Sequence, residues 1–135
     1  MIVIAANRAA VVAKKSIMQT VTSIRPATPA DYDQLIRLLH DEALPVVDIE
    51  PGLPHFFVAT EGAAIVAAIG MELYGNAALL RSVVTAPAWR SRGLASALTD
   101  TLFQYARKKG VQSIYIVTTT AEKYFLQKGF ERIDR

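Results

Sequence analysis

The chain of 135 residues contains no cysteine and only two histidines. The lack of cysteine excludes disulfide bonds, a thiol nucleophile and thiolate metal sites. His40 and His55 are too few and too isolated to indicate zinc, so we expect no bound metal. There is no run of 18 apolar residues, so we expect neither a membrane-spanning helix nor a membrane partner, and a cytoplasmic location is the default.

Two common phosphate-binding motifs are absent as well. A P-loop requires Gly-Lys-Ser/Thr after its glycine-rich turn, and the chain has no such triplet. A dinucleotide fingerprint requires Gly-x-Gly-x-x-Gly, whereas Gly93 stands alone. Any phosphate site in this protein must therefore have another basis.

The net charge of +3 comes from the first seventeen residues, which carry Arg8, Lys14 and Lys15. The other 12 basic residues balance the 12 acidic ones. We therefore expect no nucleic-acid partner, despite a basic isoelectric point. Residues 1–17 differ in composition from the rest and lack the pattern of a signal peptide. We interpret them as an N-terminal extension, with or without a short helix, and residues 18–135 as one domain.

The domain alternates strands and helices. Thr28 is a good N-cap with Pro29 at the first helical position, and Gly110 is a good C-terminal stop. The apolar pattern predicts the order β-α-α-β-β-β-α-β-α-β, which gives an α/β fold with a mixed (α+β) twisted sheet flanked by helices. The predicted strands are 21–25, 56–60, 63–73, 77–85, 113–118 and one after Phe130, and the predicted helices begin at 29, 46, 91 and 121.

The segment from Ala86 to Ser96 follows a strand and opens a long helix. The first turn of a helix has backbone N–H groups without intrahelical partners, and the helix dipole adds positive charge there. Gly93 permits close approach of an anion to the backbone. Arg90 and Arg92 add donors suited to phosphate oxygens. This segment therefore predicts a phosphate or pyrophosphate site, although a basic helix cap is the simpler alternative.

The spacing Arg90-x-x-Gly93-x-Ala95 resembles the pyrophosphate-binding signature of the GNAT superfamily of N-acetyltransferases. Together with the segments 24–28 and 124–130 and the predicted order of elements, the resemblance covers residues 21–135. Segments 53–56, 79–82 and 118–122 are also similar to a subgroup associated with arsenic resistance operons.

The resemblance implies an acetyl-CoA-dependent N-acetyltransferase that transfers the acetyl group directly to the amine of a small molecule. Direct transfer relies on positioning and on polarisation of the thioester carbonyl, and it requires no cysteine. The backbone of the strand ending at Thr85 would hold the pantetheine arm, and the following loop would hold the pyrophosphate. The implied cofactor-binding residues are Val83, Val84, Thr85, Arg90, Ser91, Arg92, Gly93, Leu94, Ala95 and Ser96.

The resemblance gives a less direct assignment of the acid and the base. Many family members have a tyrosine five residues before the Phe of the Gly-Phe pair, and that position is Phe125 here. Tyr124 is its neighbour, about 100° round the helix, and is either the acid that protonates the leaving thiolate or a packing residue. Glu72 is either the base that deprotonates the amine or a solvent-facing strand residue.

Arg81 lies between apolar residues in a predicted strand. It either extends to solvent or binds an anionic group of the substrate. The second alternative would make the acceptor an amine that also carries an acid.

Members of the superfamily normally have a seventh strand beside the fifth, and this chain ends soon after its sixth predicted strand. We therefore expect that the last strand is absent and that the open edge of the sheet forms a homodimer. The alternative function is a non-catalytic acyl-CoA-binding or protein-interaction module with the same fold.

Overall fold

The structure, a computed structural model, describes residues 2–7, 22–118 and 122–133. Within these ranges seven strands form one sheet, in the order β2-β3-β4-β5-β6-β1-β7. Three α-helices connect or cover them, which confirms the mixed α+β fold. The strands are β1 (Ile2–Asn7), β2 (Ser23–Pro26), β3 (Phe56–Glu61), β4 (Ala64–Tyr74), β5 (Ala77–Thr85), β6 (Ser113–Thr118) and β7 (Glu131–Ile133), and the helices are α1 (Tyr32–Asp41), α2 (Leu94–Lys108) and α3 (Glu122–Gln127).

Strands β2 to β5 form an antiparallel meander, as the sequence predicted. Both tight turns between β3, β4 and β5 use a glycine with positive φ, at Gly62 (φ 58°) and Gly75 (φ 63°). This conformation carries no Cβ penalty in glycine. β5 then pairs in parallel with β6 after the crossover through α2. The observed bounds of β5 and β6 are the predicted ones.

Hydrophobic side chains fill both faces of the sheet. Successive residues of β3 point to opposite faces. Phe56 and Val58 pack in the cluster that α1 covers, and Phe57 and Ala59 pack in the cluster that α2 covers. The helices contribute their fully buried leucines to these clusters, Leu35 and Leu39 from α1 and Leu98 and Leu102 from α2.

The predicted short helix at 46–50 is wrong. The structure has turns and extended backbone between α1 and β3. Pro45 and Pro51 bracket the segment, and each proline disfavours helical backbone in the residue before it. Too few residues remain between them to nucleate a helix. Residues 42–55 therefore form a loop whose side chains can line a binding site.

The expectation of an open sheet edge beside β6 is wrong. A strand does lie between β6 and β7, and it is β1, from the other end of the chain. β1 is antiparallel to β6, from Ile2 opposite Thr118 to Asn7 opposite Ser113. It is also antiparallel to β7, from Val3 opposite Ile133 to Ala5 opposite Glu131. Residues 2–7, assigned above to an extension, thus belong to the sheet; the predicted boundary at 17–18 lies outside the described residues.

A partly buried ion pair joins β2 to the start of α1. Arg25 donates two hydrogen bonds to Asp31, from Nη1 to Oδ2 (2.7 Å) and from Nη2 to Oδ1 (2.9 Å). Asp31 also accepts the backbone N–H of Thr28 at 2.8 Å, at the predicted cap. The Arg25 hydrogen bonds are the largest cause that lowers the pKa of Asp31, to about 2.

We expect Asp31→Asn to lower the free energy of unfolding by about 2 kcal/mol at pH 7, because a carboxylate with a depressed folded-state pKa stabilises the fold while ionised. That contribution is fully present above the unfolded-state pKa and is lost as the pH falls toward 2. The difference between the two proteins should therefore shrink over this window in urea unfolding curves. Asp33→Asn, at an exposed position one residue into α1, is the matched control and should change little. A pH-independent difference would contradict this account.

Candidate active site

A bulge in β5 opens the centre of the sheet. Opposite Ala68 and Gly70 of β4, the pairing of β5 shifts from Val84 to Arg81, so β5 carries an extra residue there. Ser82, inside the bulge, has φ of 57°, a conformation that costs a non-glycine residue about 1–2 kcal/mol. Such strain is characteristic of functional sites.

Beyond the bulge β5 and β6 separate. Their parallel register runs from Ala77–Ser113 to Leu80–Ile116 and ends there. The backbone of β5 from Ser82 to Thr85 therefore faces a cleft on that side instead of a paired strand. An extended ligand can use these backbone groups as a neighbouring strand would.

The outer end of the cleft is formed by the loop between β5 and α2. A single 3-10 turn, Pro87–Trp89, leads into the loop, and Gly93 takes φ of 80° at the N-cap of α2. The first helical hydrogen bond runs from Ala97 N to Gly93 O, at 3.0 Å. The N–H groups of Leu94, Ala95 and Ser96 precede that bond and are available to an anion.

The cleft consists of two adjoining cavities of about 490 and 280 Å³. Leu44, Val83, Ala95 and Tyr124 line both, so the two cavities lie side by side. All but one of the ten cofactor-binding residues predicted from sequence line the larger cavity: Val83, Val84, Thr85, Arg90, Ser91, Gly93, Leu94, Ala95 and Ser96.

The two arginines of the loop have protein partners. Arg92 does not line either cavity; its guanidinium lies 4.5 Å from the ring centroid of Trp89. Arg90 donates through Nε to the Thr85 carbonyl (3.2 Å) and forms an ion pair with Glu42. The loop thus offers a ligand mainly its backbone groups, with Arg90 held at the rim.

Tyr124 and Phe125 differ in burial, although Phe125 also lines the smaller cavity of the cleft. Phe125 is 2% exposed and packs in the core against Phe130. Tyr124 lines both parts of the cleft, and its hydroxyl is buried without a hydrogen-bond partner in the structure. A buried hydroxyl without a partner is costly, so its presence in a cleft suggests a ligand that supplies one.

A second cavity, of about 390 Å³, lies where the loop 42–55 meets the C-terminal part of β4 and Arg81 in the middle of β5. Arg81 lines both this cavity and the inner part of the cleft. Its guanidinium binds Asp48 through two hydrogen bonds (2.9 and 3.0 Å) and Glu72 through one (3.0 Å). The hydrogen bond from Arg81 is the largest cause that lowers the pKa of Asp48. Arg81 therefore holds the loop 42–55 against β5.

Glu72 accepts hydrogen bonds at both carboxylate oxygens. Arg81 Nη1 donates to Oε1, and the Tyr74 hydroxyl donates to Oε2 at 2.8 Å. The hydrogen bond to Glu72 is the largest cause of the raised pKa of Tyr74. Glu72 lines the second cavity and not the cleft, so any role in proton transfer operates from that side.

Sequence reasoning missed three residues that shape the site. Asp48 is the partner of Arg81, and Leu44 forms a wall of the cleft; both lie in the loop for which we predicted a helix. Lys128 donates to Ser96 Oγ and to Asp100 Oδ1, each at 3.0 Å, and so joins the end of α3 to the first turns of α2. None of the three carries a local motif; only the folded chain brings them to the site.

Comparison with known proteins identifies the family. The sequence model described as "Acetyltransferase (GNAT) domain" matches residues 53–132. This is more than half of the chain, and the protein therefore belongs to the GNAT acetyltransferase family. No curated protein sequence matches significantly.

Solved structures share the fold at low sequence identity. Rv2747 from Mycobacterium tuberculosis, in complex with CoA and NLQ, is 23% identical with a TM-score of 0.74, over 83% of this chain and 73% of that one. Ard1 from Thermoplasma volcanium is 20% identical (TM-score 0.75; 85% and 86% covered). Glucosamine-6-phosphate N-acetyltransferase from Arabidopsis thaliana is 15% identical (TM-score 0.68; 86% and 95% covered).

The described residues contain no group of three or more histidine, aspartate or glutamate side chains placed to hold a metal ion. None of the helices within them has the length and apolar character needed to cross a membrane.

Proposed function

We propose that this protein transfers an acetyl group from acetyl-CoA directly to the amine of a small molecule. The observation that carries the proposal is the cleft between β5 and β6: it joins an anion-binding helix start to a buried tyrosine hydroxyl that has no partner. A CoA thioester has the matching chemistry, with a pyrophosphate at one end and a sulfur at the other.

Acetyl-CoA would lie along β5. The N–H groups from Ser91 to Ser96 would bind the pyrophosphate, and the backbone from Val83 to Thr85 would pair with the pantetheine amides. The cleft then leads inward to the bulge at Ser82, where the thioester would lie. Rv2747, which has the same fold, was crystallised with CoA, which supports CoA as the ligand.

Tyr124 would act as the acid. Tyr124 lines both cavities of the cleft, and a thiolate leaving group would provide the partner that its buried hydroxyl lacks. Positioned acid–base groups typically contribute about 10²–10⁴-fold to rate. Glu72 would act as the base from the second cavity, through water, because its oxygens are already engaged by Tyr74 and Arg81.

The acceptor amine would enter through the second cavity, which meets the cleft at Arg81. Arg81 as the ligand of an acidic substrate group remains a proposal. It requires the substrate to replace Asp48, whose side chain is 61% exposed, whereas Glu72 would stay in place. The fold-sharing glucosamine-6-phosphate N-acetyltransferase is an example, by its name, of an enzyme with an anionic amine substrate.

A non-catalytic acyl-CoA-binding module is the second candidate function. The engagement of both oxygens of Glu72 by hydrogen-bond donors favours it, because both oxygens already have partners other than a substrate amine. The link to arsenic resistance and the cytoplasmic location remain predictions from sequence. A homodimer also remains one, but β1 occupies the edge beside β6, so pairing would have to use β2 or β7.

The test has two stages. Calorimetric titration with acetyl-CoA should show saturable binding at one site. Thiol release with a panel of primary amines, each with and without a carboxylate or phosphate group, should then show turnover of at least one amine. Arg81→Gln should remove any preference for the anionic amines if Arg81 binds them. Binding without turnover of any amine would favour the non-catalytic module, and no binding would overturn both proposals.

A further inference from the structure

Ser82 places a hydroxyl-bearing residue at the inner end of the cleft. It lines the smaller cavity together with Arg81, Val83 and Tyr124. Its φ of 57° is one that glycine adopts without cost, but the residue in the β5 bulge is a serine. The hydroxyl of Ser82 is therefore available where the thioester is proposed to lie, and the strained backbone alone does not account for the serine.

Arg81 donates a hydrogen bond to the Ser82 hydroxyl. The distance from Arg81 Nε to Ser82 Oγ is 3.1 Å. Oγ must be the acceptor in this pair, because a guanidinium has donors only. The hydrogen of the Ser82 hydroxyl has no acceptor among the described residues and is left for a ligand. A hydroxyl that accepts from a cation is also a stronger donor, because successive hydrogen bonds polarise one another.

The guanidinium of Arg81 is held in a fixed orientation. Asp48 and Glu72 bind its Nη1 and Nη2 atoms, whereas Ser82 binds Nε. The side chain of Arg81 is only 15% exposed. Replacement of Asp48 by an anionic group of the substrate would leave the Nε contact in place, so the hold on Ser82 does not depend on which anion binds the Nη atoms.

The same contact argues against Ser82 as a nucleophile. A serine nucleophile needs a base that removes its proton. The partner of Ser82 Oγ is instead a cation that donates to it, which makes the oxygen less nucleophilic. The geometry therefore suits donation of a hydrogen bond rather than attack on the thioester.

We propose that the Ser82 hydroxyl donates a hydrogen bond to the carbonyl oxygen of the thioester, and that Arg81 is the positioning residue that holds it. The inference rests on the proposed function, because it requires acetyl-CoA in the cleft. As the amine attacks, negative charge develops on the carbonyl oxygen, and a donor already in place stabilises it without reorganisation. Ser82 keeps its proton throughout, and Tyr124 remains the proposed donor to the sulfur.

The experiment measures the carbonyl of bound acetyl-CoA directly and needs no turnover. A hydrogen bond lowers the infrared stretching frequency of a carbonyl, so acetyl-CoA labelled at this carbon should absorb at lower frequency in the unmodified protein than in Ser82→Ala. The alanine keeps Cβ and removes only the hydroxyl. Ser23→Ala is the matched control, because Ser23 bonds to Thr60 and lines neither the cleft nor the second cavity; it should leave the frequency unchanged.

Ser82→Gly separates the hydroxyl from the backbone strain. Glycine adopts φ of 57° without cost, so this variant should gain stability in thermal unfolding. Its bound carbonyl should nevertheless absorb at the same higher frequency as in Ser82→Ala. If Ser82→Ala fails to fold, Ser82→Gly provides the same comparison with the unmodified protein.

Arg81→Lys tests the positioning role. Lysine keeps the positive charge but has no Nε–H beside the bulge and no forked geometry. The carbonyl frequency should therefore rise in this variant although Ser82 is present. An unchanged frequency would remove Arg81 from the proposal.

Calorimetry gives a second measure of the same contact. The unmodified protein should bind acetyl-CoA about five-fold more tightly than S-ethyl-CoA, a thioether without the carbonyl, and Ser82→Ala should lose this preference. With an amine that is turned over, Ser82→Ala should lower kcat about 100-fold, whereas the KM for acetyl-CoA should rise only about five-fold.

The outcomes distinguish this inference from the proposed function. An unchanged carbonyl frequency in Ser82→Ala with acetyl-CoA bound would assign the polarisation to backbone groups and overturn the inference alone. A raised frequency without turnover of any amine would support the contact in a non-catalytic module. No binding of acetyl-CoA or S-ethyl-CoA by the unmodified protein would overturn both.

Discussion

Tyr124→Phe is expected to make the protein more stable and less active at the same time. Removal of a buried hydroxyl without a partner should raise the free energy of unfolding by about 1 kcal/mol, or about 4 °C in unfolding temperature. Loss of the proposed acid should lower kcat about 100-fold, with the affinity for acetyl-CoA unchanged. The measurements are thermal unfolding, calorimetry and thiol release with the best amine of the panel.

Tyr124 is interpreted either as the acid or as a packing residue, and kcat separates the two because both predict a gain in stability. If the residue only packs, the phenylalanine variant should gain stability and keep its kcat. Tyr32→Phe is the matched control, because Tyr32 is half-buried at the start of α1 and lines neither the cleft nor the second cavity. A Tyr124→Phe enzyme with unchanged kcat would remove Tyr124 from the mechanism.

Gly93→Val should lower the affinity for acetyl-CoA at least about ten-fold. Gly93 has φ of 80°, which a β-branched residue adopts only with strain of about 1–2 kcal/mol. No atom lies within 4 Å of the added Cβ, so the substitution acts through the backbone and not through a clash. Relief of the strain would turn the N–H groups of Leu94 and Ala95 away from the pyrophosphate.

The control for Gly93→Val is Gly62→Val. Gly62 has φ of 58° in the turn between β3 and β4, and an added Cβ there also meets nothing within 4 Å. Both variants should lose similar stability in urea unfolding, but only the variant at Gly93 should lose affinity in calorimetry. Similar losses of affinity would mean that general destabilisation, and not the loop geometry, weakens binding.

The sequence by itself determined the features that rest on local chemistry. Thr28 marks the 3-10 turn Pro29–Asp31 that leads into α1, and the alternation of apolar residues places β5 and β6. The helix predicted from 91 begins three residues later, at Leu94, after Gly93 as its N-cap. Because such signals act over a few residues, they can be recognised in the sequence without knowledge of the fold. The same locality explains why residues 86–96 could be predicted from sequence as an anion site.

Tertiary structure decided everything that depends on distant partners. A count along α3 put Phe125 at the acid position, but Phe125 is buried in the core and Tyr124 lines the cleft. Asp48, 33 residues before Arg81, forms an ion pair with Arg81, whose role the sequence left undecided between solvent exposure and substrate binding.

The N-terminal strand is the extreme case of this dependence. Residues 2–7 carry no sign in sequence of pairing with residues 113–118, more than a hundred positions away. The order of strands in a sheet is set by which edges remain unpaired once the rest has folded, and the free energy of satisfying those backbone groups is a property of the whole sheet. Only the folded structure could therefore show that β1 completes this sheet.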